Sequence, residues 1–348
     1  RENLIESNPK LVIYFTSSNY DLPKVAEEFS KSFSEAETIG CTTAGEIISG
    51  SMDKNSIVAM ALGNDKVKNL NIQVIENISN NLDLSKNVKS IDSELGNFSD
   101  LDINKYYGII LIDGLSGSEE KLMDSLGNKT NINIVGASAG DDLKFKQTNL
   151  MYKDKVYTDA AILAVVESAV NFDIIKTQSF TATDKVLTPT KVNPSDSREV
   201  LEFNNKPALE AYSEVLGVSP EEAANNFFKY PIGLMVGDEP YVRSPRMKSE
   251  NGAIKFHCNL FEGMELKILD STDIIEDTKK AVAEKNKSEK ISGIISFNCI
   301  LRTLELENKN LTKEYGEIFS DIPTIGFSTY GEEFIGHMNQ TATMLVIK

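Results

Sequence analysis

Four segments of the chain place an acidic residue shortly after a glycine that follows an apolar strand. A Gly-rich loop after a strand can cradle phosphate, but a P-loop also needs a lysine, because a carboxylate repels phosphate. The segments therefore disfavour nucleotide binding. Tight turns and close backbone approach explain the glycines but not the acids. The glycine and acid pairs are Gly40 and Glu46, Gly136 and Asp141, Gly233 and Asp238, and Gly326 and Glu332.

The segment Gly136-Ala-Ser-Ala-Gly140 matches the G-x-S-x-G pattern of hydrolase nucleophile elbows. An elbow must be followed by a helix, whereas the residues after Asp141 favour an extended chain. We therefore assign no catalytic residue and expect no enzyme. A hydrolase that uses Ser138 remains an alternative.

Cysteine and histidine offer little further chemistry. The three cysteines, Cys41, Cys258 and Cys299, form no CxxC pair, so neither a disulfide framework nor a zinc site is indicated, and we expect a reducing cytoplasm. Cys41 follows a strand and is either a reactive thiol or a small buried hydrophobe. His257 and His337 lack metal-ligand spacing, so we expect no metal, with haem as an alternative cofactor.

Arginine is scarce, with 5 residues against 31 lysines (36 − 5). An arginine near a motif therefore carries extra weight, because its planar group binds a carboxylate in two places. Arg243 lies five residues after Asp238, and Arg302 follows the apolar strand at 293–297. A surface ion pair is the simpler alternative for either one.

The elements around these loops repeat. The first glycines are separated by 96, 97 and 93 residues, which predicts a duplicated unit. We predict an α/β fold (mixed α+β) of two pseudo-repeated halves, each built from two β-α-β-loop-β units with mixed sheets. The third unit has the weakest pattern. The first strands of the units are predicted at residues 11–15, 107–112, 199–203 and 293–297.

Local signals set the boundaries. Asp21 and Ser118 are expected to cap helices, and Gly217 to end one. Pro189 and Pro194 interrupt the chain, so we predict domains at 1–185 and 186–348. Residues 10–180 and 199–348 should superpose as two α/β bodies related by an approximate twofold.

The bulk composition excludes several classes of partner. Net charge is −16 over 348 residues, which disfavours nucleic acid and anionic membrane surfaces. An apolar run of about 20 residues, which a membrane span needs, is absent, so we expect no membrane insertion. The chain begins with Arg1, which leaves open a longer parent protein.

Several motifs resemble a known family. Residues 39–46 and 136–142 resemble the signatures of FIST N domains, where FIST stands for F-box and intracellular signal transduction. Residues 207–212, 299–302 and 326–332, with Asn339-Gln-Thr341, are similar to FIST C. The resemblance implies a bacterial, cytoplasmic sensory module that binds a small ligand, with amino acids proposed. It also implies an output partner such as a chemoreceptor, kinase or cyclic-dinucleotide domain, and it raises a haem-based nitric-oxide sensor as an alternative.

We expect the ligand to lie in the second half, beyond the carboxyl ends of the strands. Arg302 follows one predicted strand, and residues 327–332 follow another. If these two strands are parallel, Arg302 and residues 327–332 lie at the same edge of the sheet, which Arg243 could also reach. Arginine would bind a carboxylate and Glu332 an ammonium group, so the ligand would be a small polar metabolite such as an amino acid. The full set of predicted ligand-binding residues is Arg243, Arg302, Phe327, Ser328, Tyr330, Glu332, Cys299, Gly40, Cys41, Thr42, Glu46, Ser138 and Asp141.

Overall fold

The computed structural model describes residues 9–348 and divides them into two compact units. Unit 1 contains residues 9–177, 278–337 and 342–348, and unit 2 contains residues 178–277 and 338–341. The described residues form eight α-helices and 26 strands.

The strands are numbered in chain order. The first twelve are β1 Pro9–Ser17, β2 Glu37–Thr43, β3 Glu46–Ile48, β4 Ser51–Asp53, β5 Ile57–Gly63, β6 Val67–Glu76, β7 Tyr106–Ile112, β8 Asn133–Ser138, β9 Leu150–Tyr152, β10 Lys155–Tyr157, β11 Ala160–Ser168 and β12 Phe172–Gln178. The next nine are β13 Phe180–Leu187, β14 Pro189–Asn193, β15 Asp196–Phe203, β16 Lys206–Pro207, β17 Ile232–Val236, β18 Glu239–Arg243, β19 Pro245–Lys248, β20 Ile254–Phe256 and β21 Leu266–Ser271. The last five are β22 Gly293–Cys299, β23 Thr324–Thr329, β24 Glu332–Phe334, β25 His337–Met338 and β26 Thr341–Ile347.

The helices are fewer and mostly short. They are α1 Leu22–Ser32, α2 Ser85–Leu95, α3 Glu119–Gly127, α4 Ala208–Leu216, α5 Pro220–Asn225, α6 Ile274–Ser288, α7 Ile300–Asn308 and α8 Thr312–Glu317, with a 3₁₀ turn at Phe98–Asp100.

Unit 1 contains three smaller β-α-β units, which are called the interlaced units below. The parallel pairs are β1 with β2, β7 with β8, and β22 with β23. The strands β5, β11 and β26 then pair antiparallel with the first strand of their own unit. These are the first, second and fourth units that the sequence predicts, and their first strands lie where predicted.

The three units are interlaced in a cycle. After its second parallel strand, each unit sends a three-residue strand to a neighbour: β3 pairs with β23, β24 with β8, and β9 with β2. Three sheets result, with orders β10-β9-β2-β1-β5, β25-β24-β8-β7-β11-β6 and β12-β26-β22-β23-β3-β4. Each sheet therefore depends on a strand from another unit.

The central core lies between the apolar faces of these sheets. It includes Phe15, Cys41, Ala137, Phe297 and Phe327, all at most 1% exposed. A second core packs α2 and α3 on the opposite face of β7, β8 and β11. The first parallel strand of each pair, β1, β7 or β22, holds a mostly apolar run because both of its faces are covered.

The local capping predictions have mixed outcomes. The Asp21 side chain accepts from the Lys24 N–H and caps α1, and Gly217 ends α4 with φ +78°. Ser118 occupies the N-cap position of α3, as predicted, but it makes no side-chain capping bond, and its Oγ donates to the carbonyl of Ser116 instead (3.4 Å).

The third predicted unit departs from the β-α-β form. The strands β15 and β17 flank α4 and α5 in sequence, but they lie in different sheets of unit 2, β14-β15-β20-β19 and β13-β21-β17-β18. Most residues of β15 are only half-buried, which suits an antiparallel strand rather than a buried parallel one. The mixed α+β fold is confirmed, while the superposition of the two halves and the 185/186 boundary stay predictions. Among residues 9–348, no helix has the length and apolar character that a membrane crossing requires.

Candidate functional site

Three loops meet beyond the carboxyl ends of the parallel strands in unit 1. Their backbones are joined in the same cyclic order as the strands. Ala44 donates to the Ser328 carbonyl (3.0 Å), and Ser328 donates to Gly45 (2.7 Å). Ser138 donates to Gly331 (2.9 Å), and Gly140 donates to Thr42 (2.9 Å). The polar ends of all three units are therefore held in one place.

The acid after the first loop pins that loop. Glu46 accepts from the Thr43 hydroxyl and from both the backbone N–H and the hydroxyl of Ser56 (3.0 and 2.7 Å). Burial raises the pKa of the Glu46 carboxyl, and these donors partly offset the shift. Its two oxygens are thus occupied by residues of its own unit.

The acid after the second loop has a similar role. Asp141 accepts from the backbone N–H groups of Phe145, Lys146 and Gln147 (2.9, 2.7 and 3.1 Å) and from the hydroxyl of Tyr330. Burial would raise its pKa, but these donors lower it overall. Asp141 therefore links the turn after β8 to Tyr330, in the loop after β23.

Tyr330 joins the aromatic part of this region. Its ring stacks on Phe145 with centroids 5.0 Å apart, and its hydroxyl accepts from the Leu143 N–H (3.0 Å). Burial, followed by the nearby Asp141, raises the pKa of the Tyr330 phenol. Phe145 is 57% exposed, so this aromatic pair reaches the surface of unit 1.

The fourth predicted acid and an arginine both affect the pKa of one tyrosine. Glu332 is fully buried, and Arg302, in the first turn of α7, is 2% exposed. Both act on Tyr315: burial raises the pKa of its phenol, Arg302 lowers it, and Glu332 raises it. A buried cation and a buried anion therefore shift the pKa of this phenol in opposite directions.

A hydrogen-bond network fixes Arg302. Its Nε donates to Asn298 Oδ1 and its Nη2 to Thr278 Oγ1, both at 2.9 Å, and Tyr315 donates to the same Asn298 oxygen (3.0 Å). Because β22 and β23 are parallel, with Cys299 opposite Thr329, the residues after each strand emerge at one edge, as the sequence predicts.

The other predicted residues lie nearby in different roles. Ser328 shares a 2.8 Å hydrogen bond with Thr303, and Thr42 donates to the Asn149 carbonyl (3.4 Å). Cys299 ends β22 and is buried.

Three predicted binding residues belong to the interior. Phe327 packs on Phe15 and Phe297 with centroids 4.6 and 5.8 Å apart, so it contributes to the core rather than to the aromatic surface around Tyr330. Gly40 lies within β2 against Tyr14. Cys41 is in the central core, where burial raises the pKa of its thiol, so it is poorly suited to act as a nucleophile.

Ser138 lies at the end of β8 rather than on a strand-to-helix elbow. Its hydroxyl donates weakly to Glu119 (3.4 Å), and the side chain is fully buried. This setting does not favour the hydrolase alternative, which stays untested.

Sequence reasoning missed a buried pair on the β24–β25 hairpin. His337 Nδ1 lies 2.8 Å from Glu333 Oε1, and the imidazole packs on Gly331, where an added Cβ would lie 2.1 Å from Cε1. Burial would lower the pKa of His337, but the Glu333 carboxylate, with smaller effects of Glu119 and Glu120, raises it to about 9. The four-residue spacing was visible, but the turn that joins the two residues was not.

Two further candidates belong to unit 2. Arg243 ends β18, and its Nη1 donates to the Val242 carbonyl (3.4 Å). His257 follows β20, and its backbone N–H donates to Ser244 (3.0 Å). The expectation that Arg243 reaches the ligand stays a prediction.

Comparison with known families decides the identity. The sequence model of the FIST N domain matches residues 10–206, and that of the FIST C domain matches residues 208–334. The chain belongs to the FIST family. FIST domains are sensory domains of signal transduction.

A curated relative extends the comparison without adding a function. An uncharacterized protein of Methanocaldococcus jannaschii, MJ1623, is 27% identical over 232 residues, which are 63% of this chain and 44% of the relative. The matched region thus spans less than half of the length of the relative. In the described residues, no group of three or more acidic, cysteine or histidine side chains is placed to hold a metal. The haem alternative for this FIST protein stays a prediction.

Proposed function

We propose that this FIST chain is the input module of a signalling protein and that it binds a small zwitterionic metabolite, an amino acid, without catalysing a reaction. The observation that carries the proposal is that Arg302 and Tyr315 both donate to Asn298 at the carboxyl edge of the β22–β23 pair, while the buried Glu332 follows β23 at the same edge.

Arg302 supplies the positive half of the recognition. Its orientation is fixed by Asn298 and Thr278, so little side-chain entropy remains to be lost when a carboxylate binds. Guanidinium groups suit carboxylates because their N–H donors form parallel pairs.

Glu332 supplies the negative half. Each charge-assisted hydrogen bond contributes roughly 1.5–3 kcal/mol, so a ligand with both charges gains from both ends. A ligand with a carboxylate but no ammonium group would gain at one end only and bind more weakly. The signal would then pass to an output domain of the chemoreceptor, kinase or cyclic-dinucleotide class.

The test is a calorimetric titration with amino acids selected by a thermal-shift screen. We expect Arg302→Ala to weaken binding by about 10- to 100-fold, the loss of one charge-assisted interaction. The control is Arg246→Ala, which removes an exposed arginine of unit 2.

The alternative is that Arg302 only stabilises the loops. In that case Arg302→Ala lowers the melting temperature of the ligand-free protein, but the affinity per folded molecule is unchanged. That outcome would remove the basis of the proposal.

A further inference from the structure

The strand β5 differs from its two counterparts in the interlaced units. The strands β11 and β26 each carry another strand on the side away from their own unit, β6 and β12 respectively. The strand β5 ends its sheet, and within residues 9–348 no strand pairs with its outer edge. The position beside β5, which corresponds to that of β6 beside β11 and of β12 beside β26, is therefore unoccupied in the described chain.

The burial pattern shows the consequence. Residues 160–166 of β11 and all of β26 are buried, whereas Ile57 is 37% exposed and residues 59–61 are half-buried. Both faces of β5 are covered, since Val58 lies in the central core and Ala59 packs against the residues of α1. The remaining exposure therefore comes from the edge.

This edge lacks the usual protection against pairing. Residues 57–63 read Ile-Val-Ala-Met-Ala-Leu-Gly, without a charge or a proline. The outer strands β6, β10 and β12 instead carry Lys68, Lys155 and Asp173. Exposed edges are normally blocked by such charges, so an apolar edge indicates a partner strand.

The sequence of β5 is complementary to itself. Around Met60 it reads Val-Ala-Met-Ala-Leu, so an antiparallel copy would place Ala59 opposite Ala61 and Val58 opposite Leu62. A twofold interface requires such a self-complementary surface. We propose that the occupant is β5 of a second copy, paired antiparallel about a twofold axis at Met60, which joins two sheets into one.

The first test is the mass of the purified protein in solution, measured by light scattering across a dilution series. We expect twice the monomer mass and slow amide exchange along residues 57–63. A monomer at every concentration, with fast exchange at β5, would overturn the proposal.

The second test locates the interface by crosslinking. In the proposed pairing, residue 60 faces its own copy with Cβ atoms about 4.5–5.5 Å apart, so Met60→Cys should form a disulfide-linked dimer under mild oxidation. The native cysteines are buried, and Ile103→Cys, at a site 48% exposed in the segment before β7, is the control. A dimer in which Met60→Cys crosslinks no better than Ile103→Cys would place the interface elsewhere and contradict the proposal.

Discussion

Individual acids in this FIST chain have different tasks despite similar sequence positions. Glu46 and Asp141 accept from donors of their own loops, so they hold the backbone that joins the units. Glu332 is instead fully buried and raises the pKa of Tyr315, which Arg302 lowers, and the proposed function assigns it the ammonium group of the ligand. Of these three acids, only Glu332 is combined with an arginine in the proposed site.

Substitution of Cys41 tests whether its thiol takes part in ligand binding. We expect Cys41→Ser to lower the melting temperature, because a hydroxyl in the apolar core costs about 1–3 kcal/mol without a partner. Amino-acid affinity per folded molecule should stay close to that of the wild type in calorimetry. A complete loss of binding by folded Cys41→Ser would show that the thiol takes part.

The Glu333–His337 pair should make stability depend on pH. Because its folded pKa is raised to about 9 from 6.5, His337 stabilises the fold fully below pH 6.5 and loses this contribution as pH rises through 9. We expect wild-type stability to urea to fall more between pH 6 and pH 9 than that of His337→Gln. The control is His257→Gln. Equal pH dependence of wild type and His337→Gln would refute the assignment.

At the scale of elements, the β24–β25 hairpin links the β-α-β unit of β22 and β23 to that of β7 and β8. Its strand β24 pairs with β8, and Gly331, just before it, leaves room for the His337 ring. We expect Gly331→Ala to destabilise the protein strongly, since its Cβ would lie 2.1 Å from the imidazole.

Thermal denaturation measures that effect. The matched control is Gly127→Ala, because an added Cβ there meets no atom within 4 Å. Similar melting temperatures for the two variants would show that the hairpin tolerates a displaced His337.

For the whole molecule, the sequence predicts elements better than their partners. The strands around Phe15, Ile110 and Phe297 are found where predicted because long apolar runs are a local signal. The pairing of β3, β9 and β24 with neighbouring units leaves no such signal, since three residues carry no usable periodicity. The sequence did not indicate that Glu333 and His337 pair, because the short β24–β25 turn that joins them has no usable periodicity either.

The candidate site was partly predictable from the sequence. The glycine spacing and the scarcity of arginine indicated Arg302 and Glu332, and the parallel pairing of β22 with β23 is confirmed. The sequence alone could not show that Phe327 belongs to the core, because an aromatic residue beside a loop gives the same sequence pattern whether it faces a ligand or Phe15. Asn298 and Tyr315 were not anticipated, since their shared contact with Arg302 depends on the folded arrangement.

The most direct test of the central claim is a crystal structure of the chain with the amino acid that binds most tightly in calorimetry. We expect the ligand carboxylate within hydrogen-bond distance of the Arg302 guanidinium and the ammonium group beside Glu332. Density for the ligand at another position would contradict the account, for example in the cavity of about 210 Å³ in unit 2 that Lys185 and Asp270 line.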